Sequence, residues 1–167
     1  MQLNEFMGAH APRAGYTGYL FGEDWLLALD TQGGAVEGEF LVARAGLRRL
    51  EAGFETAERT LFDEKAGPFS QRGGLRRFFL LEGDRRLDDP LQQQLFSHRL
   101  LYAKNGEAAM RYLFFCLRDG AGERGQLLPF IERDAGGAPG ENTPFRLRLT
   151  QTGELPQAYR WPDSLSE

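Results

Sequence analysis

The stretch from Asp88 to Asp119, DDPLQQQLFSHRLLYAKNGEAAMRYLFFCLRD, decides the fold. Asp89 is placed as an N-cap, Pro90 stands at the first helical position, and Gln92 is spaced to reach back as in a capping box. These signals predict one helix over about 89–103, leaving at Asn105-Gly106, a common left-handed exit. Met110 to Leu117 is then aromatic and aliphatic almost without interruption. That run is too short to span a membrane and rich in strand formers, so it reads as a buried strand. One helix feeding one central strand, in a chain otherwise rich in strands, organises the rest.

At about 100° per residue, Leu91, Leu95, His98 and Tyr102 share one narrow stripe of this helix, while Phe96 and Leu100 fall away from it and Leu101 lies on a third side. A helix on a monomeric sheet needs only one apolar stripe. Either the helix has one broad core face with a few exposed leucines, or it packs on its own sheet and also touches a partner.

A chain of 167 residues makes one domain with a real core and no need of disulfides. The lone Cys116 sits among Phe114, Phe115 and Leu117, where a free cysteine is a small buried hydrophobe. No base or cation adjoins it in sequence to make a thiolate. No segment approaches the apolar length of a spanning helix, and the N-terminus lacks the pattern of a signal peptide. The expectation is a soluble, unsecreted product without a membrane anchor. A net charge of −4 speaks against a basic nucleic-acid footprint. The 13 Phe and 21 Gly favour strands joined by tight turns.

Residues 1–15 read as an N-terminal arm, broken by Gly8, Pro12 and Gly15. Phe6 and Met7 are apolar enough to dock on a partner; a frayed tail is the other reading. Tyr16 to Asp30 reads as strand, turn and strand, with the turn at Gly22-Glu23-Asp24. Further strands are expected around Phe40–Arg44, Leu47–Ala52 and Phe54–Phe62. Asp63 to Leu75, with Gly67-Pro68 and Gly73-Gly74, reads as a long polar loop whose one aromatic is Phe69. Arg76–Glu82 is a buried strand. Gln126–Arg133 is a strand with Pro129 inside it, which argues for an edge or a bulge. Pro144–Thr152 alternates strictly, Phe145, Leu147 and Leu149 against Arg146, Arg148 and Thr150. The last residues, 155–167, read as a tail anchored by Tyr159 and Trp161. The total is about eight mostly antiparallel strands and one flanking helix: a mainly β sandwich or barrel spanning 16–154.

Catalytic patterns are weak. Gly120, Gly122 and Gly125 match G-x-G-x-x-G, but between two predicted strands, whereas the dinucleotide loop must open a helix. The only histidines, His10 and His98, have no metal-ligand spacing around them. Ser97 and His98 are neighbours on a helix and point about 100° apart, which is poor geometry for a nucleophile and its base. The doublets Arg48-Arg49, Arg76-Arg77 and Arg85-Arg86 are flanked by acids, which favours solvated faces or ion pairs over phosphate binding. No catalytic, cofactor or metal residue is expected.

The order of segments resembles a known family. A G-x-D-W-L-L-A-L-D strand pair is followed by a strand, a long loop and R-R-F-F-L-L-E-G-D. Then come the helix D-P-L-Q-Q-Q-L-F, the strand M-R-Y-L-F-F-C-L, a glycine-rich turn and the closing P-F-R-L-R-L-T-Q-T-G-E. Over roughly Gly18 to Glu154 this is similar to the major tail tube proteins of long-tailed bacteriophages, lambda-type and TP901-1-like, with relatives in phage-derived pyocins and in the tube of type VI secretion.

The resemblance implies a structural, non-catalytic subunit without cofactors. It implies homo-oligomeric, hexameric rings that stack into a hollow tube, with tape-measure and tail tip or terminator proteins as partners. DNA would pass non-specifically through a usually negative lumen. The location implied is the tail of a virion or pyocin particle assembled in the bacterial cytoplasm. The matching positions for ring-to-ring contacts are Asp63–Leu75 and Met1–Gly15. The oligomer contacts expected are Phe6, Met7, Phe69, Phe96 and Leu100. The arginines of the last strand depart from the pattern. The competing readings are a tail terminator or head–tail connector, forming a single ring, and an enzyme using a β-barrel pocket.

Overall fold

The computed structural model describes residues 1–10, 12, 15–32, 39–63, 67–104 and 107–162, without the side chains of 57–73. Its strands are β1 (Trp25–Asp30), β2 (Leu41–Val42), β3 (Leu47–Asp63), β4 (Gly67–Asp84), β5 (Met110–Cys116), β6 (Ala121–Arg133) and β7 (Pro144–Arg160). Its helices are α1 (Leu3–Ala9), α2 (Pro90–Leu95) and α3 (His98–Leu101). The seven strands form one antiparallel sheet in the order β2-β1-β5-β6-β7-β4-β3, curled into a half-barrel. A mainly β architecture with a flanking helical segment is what the sequence leads one to expect.

β5 is central because both its faces are buried. Tyr112 and Phe114 point into one cluster with Leu27, Leu29, Phe79, Leu127 and Leu147. Leu113 and Phe115 point into a second with Leu26, Ala28, Phe40 and Tyr159. A strand covered on both sides reads as a continuous apolar run, which is why M-R-Y-L-F-F-C shows no alternation. α2 and α3 cover the first face through Leu91, Leu95, Phe96 and Leu100, and α1 covers the second through Leu3, Phe6 and Met7.

The predicted single helix is two short ones. Asp89 caps α2 as expected, its carboxylate accepting from the Gln92 amide at 3.0 Å, behind Pro90. Gln92 does not complete a capping box. Its buried amide donates to the carbonyls of Ala45 (2.9 Å) and Asp84 (3.2 Å) and accepts from the Arg86 N–H, tying α2 to the strand ends. The helix breaks at Phe96-Ser97, where the Ser97 hydroxyl donates to the Gln94 carbonyl at 2.7 Å and competes with the helical ladder. The break resets the helical phase. Leu91, Leu95, Phe96 and Leu100 therefore share one core face, and the His98 and Tyr102 rings meet at a tilt outside it. The Asn105-Gly106 exit lies outside the described residues.

Other expectations change as follows. Residues 16–21 form no strand; the turn at Gly22–Asp24 is present as one 3-10 turn leading into β1. The strand expected over Phe40–Arg44 shrinks to β2, and the two expected over 47–62 are one strand, β3. The long loop at Asp63–Leu75 is instead the distal part of a hairpin, paired from Leu47↔Gly83 out to Asp63↔Gly67. Glycine and proline there suggested a loop, but cross-strand pairing overrides local propensity. β7 runs on through the expected tail to Arg160, with Tyr159 buried and Trp161 packed beside it. Pro129 lies where β6 runs past β5, whose pairing stops at Leu127; that stretch of β6 is an edge, as a proline requires.

Candidate functional site

Three surface features stand out. The first is the hairpin. β4 pairs with β7 only from Phe78 to Asp84. Beyond Phe78 the partners Gly67–Arg77 and Phe54–Asp63 form a two-stranded ribbon that leaves the sheet. At about 3.3 Å per residue it projects about 35 Å. A ribbon of two strands is marginal by itself in water. β3 also ends the sheet, and its outer edge has no strand partner among the described residues. At the opposite end the short β2 is capped by the N-terminus, through a Gln2↔Leu41 bridge and bonds from Leu3 N to Phe40 O and from Val42 N to Met1 O.

The second is a charged face. Glu55, Glu82, Arg146 and Arg148 project from the side of β3, β4 and β7 opposite the α2–α3 core. Arg146 lies 3.3 Å from Glu82 and 2.7 Å from Glu132, and Arg148 pairs with Glu55 while its guanidinium sits over Phe78. The arginines that departed from the family pattern are thus neutralised across strands of the same chain. Four of the six doublet arginines are paired too: Arg48 with Asp84, Arg49 with Glu51, Arg77 with Glu123 and Arg86 with Asp88.

The third is a pair of apolar features. Tyr16, Tyr19, Leu20 and Phe21 are exposed ahead of β1. A groove between the end of α3 and the free edge of β6 is lined by Leu101, Tyr102, Leu128, Phe130 and Ile131 among others. Tyr102 and Phe130 are 75% and 51% exposed there.

Of the five expected oligomer contacts, Phe6, Met7, Phe96 and Leu100 are buried in the chain's own apolar clusters, and Leu100 also lines the groove. The backbone of Phe69 lies in the ribbon opposite Leu61, and its side chain is outside the description. The sequence reading missed Tyr19–Phe21 and Tyr102 as surface groups. The signal was an aromatic run, Y-L-F, with no alternation and a glycine on either side.

The G-x-G-x-x-G run has separate packing reasons. Gly120 turns with φ +77°. At Gly122 a Cβ would stand 2.0 Å from the Phe114 carbonyl oxygen, and at Gly125 2.9 Å from the Tyr112 ring. None opens a helix; Gly122 and Gly125 lie inside β6. Cys116 is buried, and among the described residues no three His, Cys, Asp or Glu side chains cluster as metal ligands. No helix among them is long and apolar enough to cross a membrane.

No family model and no curated protein sequence matches the chain. Solved structures do. A chain of the virion of a native gene transfer agent particle superposes with a TM-score of 0.56 at 17% identity, covering 81% of this chain and 96% of that one. A chain from the tail of an empty gene transfer agent particle, with C6 symmetry, gives 0.52 at 20% identity, with 81% and 96% covered. A chain of the six-fold anti-feeding prophage baseplate gives 0.52 at 13% identity, with 88% and 99% covered. The fold of this chain is therefore one found in phage-like tail particles.

Proposed function

We propose that this chain is a structural, non-catalytic subunit of a phage or phage-derived tail tube, whose copies close into hexameric rings that stack into a hollow conduit. One observation carries the reading: the β3–β4 ribbon leaves its own sheet with its outer edge unpaired among the described residues. Such an edge invites strand addition from another chain unless something covers it. Copies arranged head to tail around an axis supply that cover, and a heterologous contact that closes gives a ring. The six-fold symmetry of two assemblies containing similar chains supports six copies.

The Arg–Glu face suits a conduit wall. Its charges are compensated within the chain, so it offers a passing polyanion little net attraction. The reading carries with it a tape-measure protein inside the tube, tail tip and terminator proteins at its ends, non-specific passage of DNA in a true phage, assembly in the bacterial cytoplasm and a final place in a virion tail or pyocin-like particle. The likeness to a baseplate chain favours one alternative, a terminator or connector that forms a single ring.

Negative-stain microscopy of the purified protein, with light scattering, tests this. Long tubes of constant width are expected. Single rings would transfer the chain to the terminator or connector class, and monomers at high concentration would sink the structural reading.

A further inference from the structure

The two exposed apolar features stand at opposite ends of the central strand. The Tyr16–Phe21 segment is tied to the C-terminal end of β5. The Leu117 N–H donates to the Asp24 carbonyl at 2.6 Å, Arg118 Nε reaches the Asp24 carboxylate at 2.7 Å, and the Arg118 guanidinium sits over Tyr16 at 4.9 Å. The groove of Tyr102 and Phe130 lies at the other end, lined also by Ala108 just before β5 begins and by the part of β6 beyond it. The seven residues of β5 separate the two by about 20 Å. Neither feature can cover the other within one chain.

We infer that the exposed Tyr19–Phe21 knob of one copy seats in the Tyr102–Phe130 groove of the next, a head-to-tail contact along the strand direction that joins one ring to another. The inference deepens the tube reading and rests on it for the word ring. Three observations commit the groove to a second copy. Exposed apolar groups gathered in patches mark interaction sites, and the described residues carry an exposed aromatic segment and a groove. Their antipodal placement makes the contact heterologous, so it propagates from copy to copy. One charge pair is available at the rims: Glu23 is exposed two residues after the knob and Lys104 one residue after Ala103 of the groove, and among the described residues neither has an ion-pair partner. Asp134 also lines the groove; its backbone carbonyl is engaged by Arg85.

The test uses full-length Tyr19→Glu and Tyr102→Glu chains, and a Tyr19→Cys/Tyr102→Cys chain carrying Cys116→Ala. Both glutamate changes fall on exposed positions, and circular dichroism checks the fold. Expected are single rings in place of tubes for each glutamate chain, and an intermolecular disulfide ladder on mild oxidation of the cysteine chain. Tubes from Tyr19→Glu equal in length to wild type, or no ladder from a chain that still stacks, overturn the contact and leave the tube reading standing. A ladder from a wild-type-like chain that forms no tubes keeps the contact and overturns the tube. Monomers without a ladder overturn both.

Discussion

Arg77 on β4 and Glu123 on β6 meet across β7, Nε to Oε1 at 2.6 Å, and the same carboxylate oxygen accepts the Tyr112 hydroxyl at 3.0 Å. The Arg77 guanidinium also lies over Phe54, Phe79 and Phe114. The pair is largely withdrawn from water, its side chains 12% and 20% exposed. Breaking such a pair leaves a desolvated charge without its partner. Glu123→Ala should cost about 3 kcal/mol of folding stability, measured by urea unfolding. Glu123→Gln keeps an acceptor for Tyr112 and should cost less. Equal stability of wild type and the alanine chain would contradict the network.

The Tyr112 phenol is held well above the ordinary tyrosine range, by burial first and then by the Glu123 charge beside it. A pKa raised in the folded state gives stability that is full below the unfolded value, about 10, and declines as pH climbs beyond it. The urea midpoint should fall above pH about 10, and Tyr112→Phe, though less stable at neutral pH, should fall less steeply. Parallel slopes for the two chains would exclude this contribution.

At acid pH the group to watch is Asp24. The Phe21 N–H at 2.8 Å depresses its pKa most, with Arg118 adding to it. A depressed carboxylate contributes stability that is present above its unfolded pKa and lost as pH drops through the folded value. Melting temperatures of wild type and Asp24→Asn should therefore differ at pH 7, and the gap should narrow as pH falls below about 4. A gap that stays constant over that fall would remove Asp24 from the acid response.

The legible parts of this chain were those set by strong periodicity or local chemistry. The strict alternation of Phe145, Leu147 and Leu149 with Arg146 and Arg148 marked β7, and D-P at 89–90 marked the start of α2. Hidden parts depended on long-range pairing. Gly67 and Pro68 look like a loop until β3 supplies Asp63 and Phe62 as partners, and Gly73 and Gly74 fall at a register shift of the same pairing. Ser97 breaks a helix that propensity alone would continue, and that break sends Phe96 and Leu100 inward.

Leu100 then separates core from contact. As a buried member of the α2–α3 face, Leu100→Ala should cost about 2–5 kcal/mol of subunit stability. Tyr102→Ala, two residues on and largely exposed, should leave unfolding unchanged within about 0.5 kcal/mol while weakening stacking. The reverse pattern, a stable Leu100→Ala subunit that fails to stack, would restore Leu100 as a contact residue.

The ribbon gives the sharpest separation between folding and assembly. β4 has β7 beside it only as far as Phe78, so residues beyond that point add no strand to the seven-stranded sheet. Trimming equal lengths from both strands, with 59–71 replaced by Asn-Gly, keeps the register near Leu75 and closes the hairpin with a turn that suits its twist. The trimmed subunit should melt within a few degrees of wild type, because the buried clusters on either side of β5 are untouched. Phe69→Glu, within the removed stretch, should act the same way in milder form. Both should hinder tube growth, seen as loss of pelletable polymer. Tubes of normal length from the trimmed chain would mean that the ribbon contributes nothing to assembly, and its unpaired edges would then need another partner.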